Sequence, residues 1–442
     1  MMFFLYLTLF SHTYFPLFHF FSLPLWRKSV SHNKKRANIT IMMKILHTSD
    51  WHLGHTLYNY DRTEEQTAML QQIIEIVKSE KPDLFLLSGD VYHTAQPSSA
   101  VQTLFTETIV QIHAAHPDMS IIMTAGNHDS GTKHEIFRTP WQALKVYAIG
   151  NLDRENPQSH IIEIPGKAYV IAIPYTYERS IPEGFFQDLL QCVEERNSAQ
   201  LPVIMMAHTT VKGCDYQGHD NATDLTVGGI DSLEISDLGE GYDYLALGHI
   251  HHEQWIRGSH HRIRYSGSPL PVSFDENYEH SVSLITIDKH GDEPQLQKIA
   301  IENPHPLVTL PASGRYESSE ETDKSDPTDK TGNFVSWEEA KQLLENFPAD
   351  IPAYIRLNVE IEDFLPAEAN QEAANLTKEK LCRFCLINTR RKKKAQSQQK
   401  AMTVQEFQAE SPIDIARRYA EDSGIPFDED LTEMFEEISK QL

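Results

Sequence analysis

Seven residues with metal-binding side chains stand at the ends of five short apolar runs: Asp50 and His52, Asp90, Asn127, His208, and His249 with His251. Each run is strand-like in length and composition. If the strands lie side by side, their ends bring all seven donors to one edge, outside the carboxyl ends of the strands, where open α/β sheets place ligands. The donors are carboxylate, amide and imidazole with no thiolate, a set that suits Mn²⁺, Fe²⁺ or Zn²⁺ in a reactive centre rather than a structural zinc site. The Asp50-x-His52 spacing puts two donors on one side of an extended segment, since side chains alternate with period 2; His249 and His251 repeat it. Asp90 has two oxygens to offer two ions and is the natural bridge, with Gly89 allowing a tight turn before it. Asn127 adds a neutral oxygen where another anion would overload the site. Two divalent cations held in this way clamp the attacking and leaving oxygens of an in-line phosphoryl displacement.

His128 adjoins Asn127 and precedes Asp129. An imidazole oriented by that carboxylate could stabilise developing phosphoryl charge or protonate a leaving oxygen. His93, three residues after Asp90, is placed to assist near the scissile phosphate. Taken singly, a His or Asp at a strand end is ordinarily a cap or turn residue, and His93 and Asp129 retain that reading. Five such elements in order, above all Gly-Asn127-His128-Asp129 and Gly-His249-x-His251, make a site. His55, His219, His252, His260 and His261 read as surface residues.

The elements that must position these groups alternate. Helical stripes occupy 64–80 (Met69, Ile73, Ile74, Val77) and 98–114 (Val101, Leu104, Phe105, Ile109, Ile112), the latter started by Pro97 and Ser98. Strand–helix–strand order argues an α/β domain over 43–300. Residues 262–300 are β-rich and are expected to complete a second sheet of that domain. A smaller α+β module spans 301–400, with a polar, acidic insert at 312–333 that reads as disordered, a helix from Ser336 and an alternating strand over 353–361. Arg390, Arg391, Lys392, Lys393 and Lys394 form a basic run, equally a solvated face and a nucleic-acid contact. The tail, 401–442, is helical: Thr403 to Glu406 forms a capping box, and Leu431, Phe435, Ile438 and Leu442 make an apolar stripe that packs in cis or docks a partner.

The chain has 442 residues, 40% of them hydrophobic and 23% charged, and a formal net charge of −24. So acidic a surface attracts no nucleic acid as a whole, although bound cations and local basic patches reverse the sign inside a cleft. The 4 cysteines are too few and scattered for a disulfide framework, and Cys382 and Cys385 lack the two further ligands zinc would need; a reducing cytoplasm fits. Residues 1–26 are aromatic and apolar, followed by Arg27, Lys28, Lys34, Lys35 and Arg36. That order is the reverse of a secretory signal, and Pro16 and Pro24 make a poor membrane span. Residues 1–42 therefore read as an upstream extension of the reading frame, with the native start expected at Met42 or Met43.

The segments His47 to Gly54, Gly89 to His93, Ala246 to His251 and Tyr265 to Glu276 resemble the calcineurin-like metallophosphoesterase superfamily, and within it the bacterial SbcD family of nuclease subunits. The resemblance is strongest from Met43 to about Ala300, persists more weakly through Ile361 and over 411–416, and does not cover residues 1–42 or the acidic insert. It implies a four-layer α/β/β/α sandwich, a small capping domain and C-terminal helices that dock an SMC-like ATPase, SbcC. It implies one ion on Asp50, His52, Asp90 and His251, and a second on Asp90, Asn127, His208 and His249. His128 becomes the transition-state residue; some members carry Asp in place of His93. The implied activity is Mn²⁺-dependent 3′→5′ exonuclease on duplex DNA, driven by ATP through the partner, with endonuclease on single strands and hairpins. A homodimer within a heterotetramer is implied, for which the helical stripes at 64–80 and 98–114 are the candidates.

Two other readings use the same residues. One is a metallophosphoesterase acting on a phosphoprotein or a small phosphodiester. The other is a scaffold without catalysis, which would need neither His128 nor a bridging Asp90.

Overall fold

The computed structural model describes residues 42–216, 232–312 and 333–392, with 411, 413–415, 417 and 431–432 in the tail. The leading segment 1–41, the acidic insert, Lys393, Lys394, His219, the 403–406 capping box and the stripe residues Phe435, Ile438 and Leu442 lie outside the described residues.

The chain opens with β1 (Met43–Thr48), a two-stranded ribbon of β2 (Thr56–Leu57) and β3 (Tyr60–Asp61), then α1 (Thr63–Glu80), β4 (Leu84–Ser88), α2 (Ser99–Ala115) and β5 (Ser120–Thr124). Two short helices, α3 (Gly131–Ile136) and α4 (Arg138–Gln142), lead to β6 (Val146–Ile149). A second series follows: β7 (Ile161–Ile164), β8 (Ala168–Ala172), α5 (Phe185–Arg196), β9 (Val203–His208), β10 (Tyr244–Gly248), β11 (Gln254–Trp255) and β12 (Ile263–Tyr265). The strands β13 (Ser281–Ile287) and β14 (Gln295–Ala300) close the larger part.

Two six-stranded sheets result, in the orders β14-β13-β1-β4-β5-β6 and β11-β12-β10-β9-β8-β7. The metal-binding strands therefore do not lie side by side in one sheet: β1, β4 and β5 belong to the first, β9 and β10 to the second. The expected second sheet over 262–300 is likewise corrected, because β12 joins the second sheet whereas β13 pairs antiparallel with β1 and extends the first. The packing explains why the runs are apolar throughout. Leu46, Phe85 and Leu87 face a core shared with α1 and α2, while their neighbours Ile45, Leu84 and Leu86 face the second sheet. On β9, Ile204 and Met206 point to the first sheet, and Met205 and Ala207 to α5. Strands covered on both faces lose the apolar–polar alternation. The layers are α/β/β/α.

The α1 stripe of Met69, Ile73, Ile74 and Val77 is fully buried on the first sheet, as are Phe105, Ile109 and Ile112 of α2. Each such side chain contributes about 1.5–3 kcal/mol by leaving water, so these positions serve the sandwich core, whereas Val101 and Leu104 of α2 are only half-buried. Ser98 caps α2 as its sequence predicts, its hydroxyl accepting from Val101 N at 3.3 Å.

Beyond the sandwich, β15 (Leu307–Leu310), β16 (Tyr354–Ile361) and β17 (Arg383–Arg391) form a parallel sheet in that order, backed by α6 (Trp337–Asn346) and α7 (Ala369–Thr377) with their own apolar core. This smaller module, the cap of the expectation above, packs its other side on the β2–β3 ribbon, where Tyr354 is buried with Leu57 and Phe274. Cys382 and Cys385 are free thiols on β17 and its approach.

Candidate metal centre

Four of the seven donors reach their places through reversed backbone. Asp50, His52, Asp90 and His249 have φ of 55°, 44°, 48° and 96°, a region that costs a residue with a Cβ roughly 1–3 kcal/mol and persists only where its surroundings enforce it. Here Asp50 N donates to Gly89 O and His52 N to Asp90 O, both at 3.0 Å, tying the ends of β1 and β4. His249 N donates to the Asp50 carboxylate at 3.1 Å, which ties the first sheet to the second.

All seven expected donors converge. Asp50, His52 and His251 offer atoms within 4.8 Å of one another, as do Asp50, Asp90 and His208. Asn127 Oδ1 lies 3.0 Å from His208 Nε2 and 3.1 Å from His249 Nδ1. The His52 and His251 Nε2 atoms face each other at 3.1 Å, and Asp90 Oδ2 is 3.7 Å from His52 Nε2 and 3.4 Å from His208 Nε2. Lone pairs of nitrogen and oxygen aimed at common points fit divalent cations of the Mn²⁺, Fe²⁺ or Zn²⁺ class.

Ring orientation is set from behind. His208 Nδ1 binds Ser88 O at 2.8 Å, sending Nε2 to the site. His251 Nδ1 is held at 3.1 Å by the buried carboxylate of Glu276, which also accepts from Val272 N at 3.1 Å and Ser268 Oγ at 3.2 Å. Glu276 was not among the residues the sequence singled out, although an acid closing the Ser-Gly-Ser-Pro segment was its signal. Carboxylate–histidine–metal pairs of this kind are typically worth 10–100-fold in metal affinity, so Glu276→Gln is expected to weaken Mn²⁺ binding by about that factor in calorimetric titration. An unchanged affinity would reduce Glu276 to a packing role.

Charge follows the same geometry. Burial opposes a proton on His208, yet Asp90 and Asp50 overcome it and raise the imidazole to about 9. Burial likewise opposes charge on His251, and Glu276 foremost lifts it to about 9. Asp90 is buried but is held well below the usual carboxylate range by His208 and His52, whereas burial raises Asp50. Cations must therefore displace imidazole protons. Loading at pH 7.5 is expected to release on the order of two protons, and affinity should rise with pH towards 9, the value for both histidines. Titrations in buffers of different ionisation enthalpy measure the count; no release would mean that both rings are already neutral.

The remaining expected residues divide. His128 donates its backbone N–H to Asp90 Oδ1 at 2.9 Å, and its Nδ1 sits 2.9 Å from His93 O. The His93 ring stacks on His128 at 5.4 Å between centroids. Asp129 does not orient His128: its carboxylate accepts from Val91 N, Tyr92 N and Gly126 N at 3.1, 2.9 and 2.9 Å and lies 3.4 Å from His134 Nε2. A carboxylate already shared among three amides serves the loops after β4 and β5, and the His93 carbonyl turns the ring instead. His55, read as a surface residue, is half-buried with its ring 4.6 Å from His93. His252 is also half-buried, stacked on Tyr278 at 4.4 Å, while His260 and His261 are exposed. The basic run emerges at the end of β17: Arg390 pairs with Glu360 at 3.2 Å over the Phe334 ring, Arg391 lies over Phe364, and Lys392 is 3.6 Å from Glu362.

Residues 43–253 match the family described as calcineurin-like phosphoesterase. Beyond that core, the chain is 31% identical over 300 residues to SbcD of the nuclease SbcCD from Rhodobacter capsulatus, covering 62% of this chain and 72% of that one. The chain belongs to the SbcD family. The Bacillus subtilis member is 30% identical over 61% of this chain and 73% of its own, and the Escherichia coli K12 member 26% identical over 73% and 79%. As an SbcD-family protein the chain is a metal-dependent phosphodiesterase, and the donor ring described above lies within the matched region. Among the described residues no helix is long and apolar enough to cross a membrane.

Proposed function

We propose that this chain is the nuclease subunit of an SbcC–SbcD type complex, cleaving DNA phosphodiester bonds by two-metal hydrolysis. The observation that carries the reading is the convergence of all seven donors where the two sheets meet, with His128 fixed beside them by the His93 carbonyl. One cation would be held by Asp50, His52, Asp90 and His251, the other by Asp90, Asn127, His208 and His249. When bound, two such ions supply Lewis-acid charge neutralisation and an activated water at neutral pH. The chain's own residues do the rest. Asp50 and Asp90 hold negative charge between the donor groups. Glu276 and Ser88 O keep His251 and His208 aimed. His128, with Nδ1 engaged by a carbonyl, keeps Nε2 as the atom that exchanges a proton with the leaving oxygen. His93 supports that ring by stacking.

Mn²⁺ as the resident ion, 3′→5′ exonuclease action on duplex ends, endonuclease action on hairpins and single strands, and ATP acting through an SMC-like partner, SbcC, complete the reading. So do a homodimer within a heterotetramer, docking by the C-terminal helices, and a cytoplasmic location. The division is into residues 1–42 as an extension, 43–300 as nuclease, 301–400 as cap and 401–442 as docking region. The cap module beside the site favours a long polymeric substrate. The alternative, a small phosphodiester or phosphoprotein, is favoured by the net charge of −24 and by the acidic partners of the basic run.

Labelled hairpin and duplex DNA, incubated with Mn²⁺, with chelator, and with the partner ATPase plus ATP, separate the two. Metal-dependent DNA degradation supports the nuclease; turnover of a small phosphodiester with DNA intact even in the presence of the ATPase overturns it. Lys392→Glu with Lys393→Glu is expected to weaken DNA binding and reduce the salt slope by about 0.9 for each phosphate no longer neutralised. An unchanged slope would return the run to a solvated face.

A further inference from the structure

A chain of hydrogen bonds and ring contacts runs from the cap module into the histidine cluster. The β2–β3 ribbon follows closely after His52, and the cap grips it: Tyr60 Oη donates to Phe384 O at 3.0 Å, and Arg383 donates to Asp61 O at 3.4 Å. At the end of the ribbon stands Arg62, only 2% exposed, with Glu65 and Tyr354 at 0%. Tyr354 Oη, on the central cap strand, donates to Glu65 Oε1 at 2.6 Å. Glu65 lies 3.8 Å from Arg62 Nε, and the Arg62 guanidinium sits over the Tyr354 ring. Arg62 Nη1 donates to Pro271 O at 2.6 Å and to His55 Nδ1 at 3.3 Å. His55 packs edge-on against His93, whose ring stacks on His128 and whose carbonyl holds His128 Nδ1.

A buried guanidinium–carboxylate pair is weak evidence for stability, because desolvation offsets its attraction. What the pair does here is therefore read from the groups at its ends. We propose that Arg62 is a positioning residue for the proposed reaction: through His55 and His93 it sets the attitude of His128, and through Glu65 and Tyr354 it makes that attitude depend on how the cap is seated. The inference rests on the phosphodiesterase reading of the site. A ligand or partner that shifts the cap thereby alters catalysis without touching a metal donor.

Coupling of this kind is established by non-additivity, not by adjacency. The test uses the full chain with Mn²⁺ and bis(p-nitrophenyl) phosphate, a substrate too small to need the cap as a binding surface. Tyr354→Phe, which removes one hydroxyl, is expected to lower kcat about 3- to 10-fold, as coupled neighbours do, with KM and Mn²⁺ affinity unchanged. In a His55→Gln background the same substitution should then have no further effect. Arg62→Lys gives a second variant with the same expectation. Independent multiplication of the two losses, or a change confined to thermal stability, overturns the relay. Imidazole ¹⁵N signals provide a readout that needs no turnover: Tyr354→Phe should shift His55 and His93 while leaving His160, outside the chain of contacts, in place. Unmoved His55 and His93 signals overturn the relay, whereas absent phosphodiester turnover by the unmodified chain overturns the functional reading instead.

Discussion

Replacing His128 by glutamine is expected to lower phosphodiester turnover by about 10²- to 10⁴-fold, the usual contribution of a positioned proton carrier, while both cations stay bound. The separation follows from how the residue is held. Its backbone N–H on Asp90 Oδ1 survives the change, and a glutamine amide can still donate to the His93 carbonyl that now receives Nδ1. What disappears is the nitrogen that takes up and releases a proton. Steady-state kinetics on a small phosphodiester, paired with Mn²⁺ stoichiometry, measure the two consequences separately. Loss of a cation would make His128 a ligand, and unchanged turnover would give the proton to another group.

Gly89→Ala is expected to weaken Mn²⁺ binding by about 100-fold, at the upper end of what a displaced outer partner costs, and to lower turnover with it. Gly89 has φ of 85°, and a Cβ there would lie 2.1 Å from His208 Nδ1. The ring would have to leave Ser88 O, and with it the aim of Nε2 would be lost. Gly166 gives the comparison: its φ is 69° and a Cβ meets nothing within 4 Å. Gly166→Ala should cost only the left-handed strain, about 1–2 kcal/mol, with metal binding intact. Thermal unfolding and Mn²⁺ titration of both variants separate strain from collision. Equal metal affinities in the two would place His208 outside the site.

The donors were legible because five apolar runs in succession end in such residues; any one of them alone would have read as a cap or turn. Their distribution over two sheets was not legible. Leu84 to Leu87 and Ile204 to Ala207 are covered on both faces, so their pattern carries no sign of which strand each pairs with. The stripes of α1 and α2 were correctly read as helical, but an apolar face reads the same whether its partner is a sheet or a second chain. Glu276, Arg62 and Glu65 escaped notice because a buried charge looks in sequence like an exposed one. His55 was misplaced for the same reason. Asp129 was given an imidazole by adjacency, whereas the turn in which Asp129 N donates to Gly126 O brings its carboxylate to three amides.

The tie between the two sheets at the donor ring has a consequence for the chain as a polymer. His52 and His251 are 199 residues apart in sequence, and the segments carrying them approach only when the halves of the sandwich have come together. An ion spanning those donors is a removable cross-link that closes a very long loop. Because it binds the closed arrangement alone, it would add about 2.7 kcal/mol at a free concentration 100 times its dissociation constant. Cations held there would then keep the two halves of the sandwich together, so that metal supply would raise the folded fraction of the chain as well as its activity.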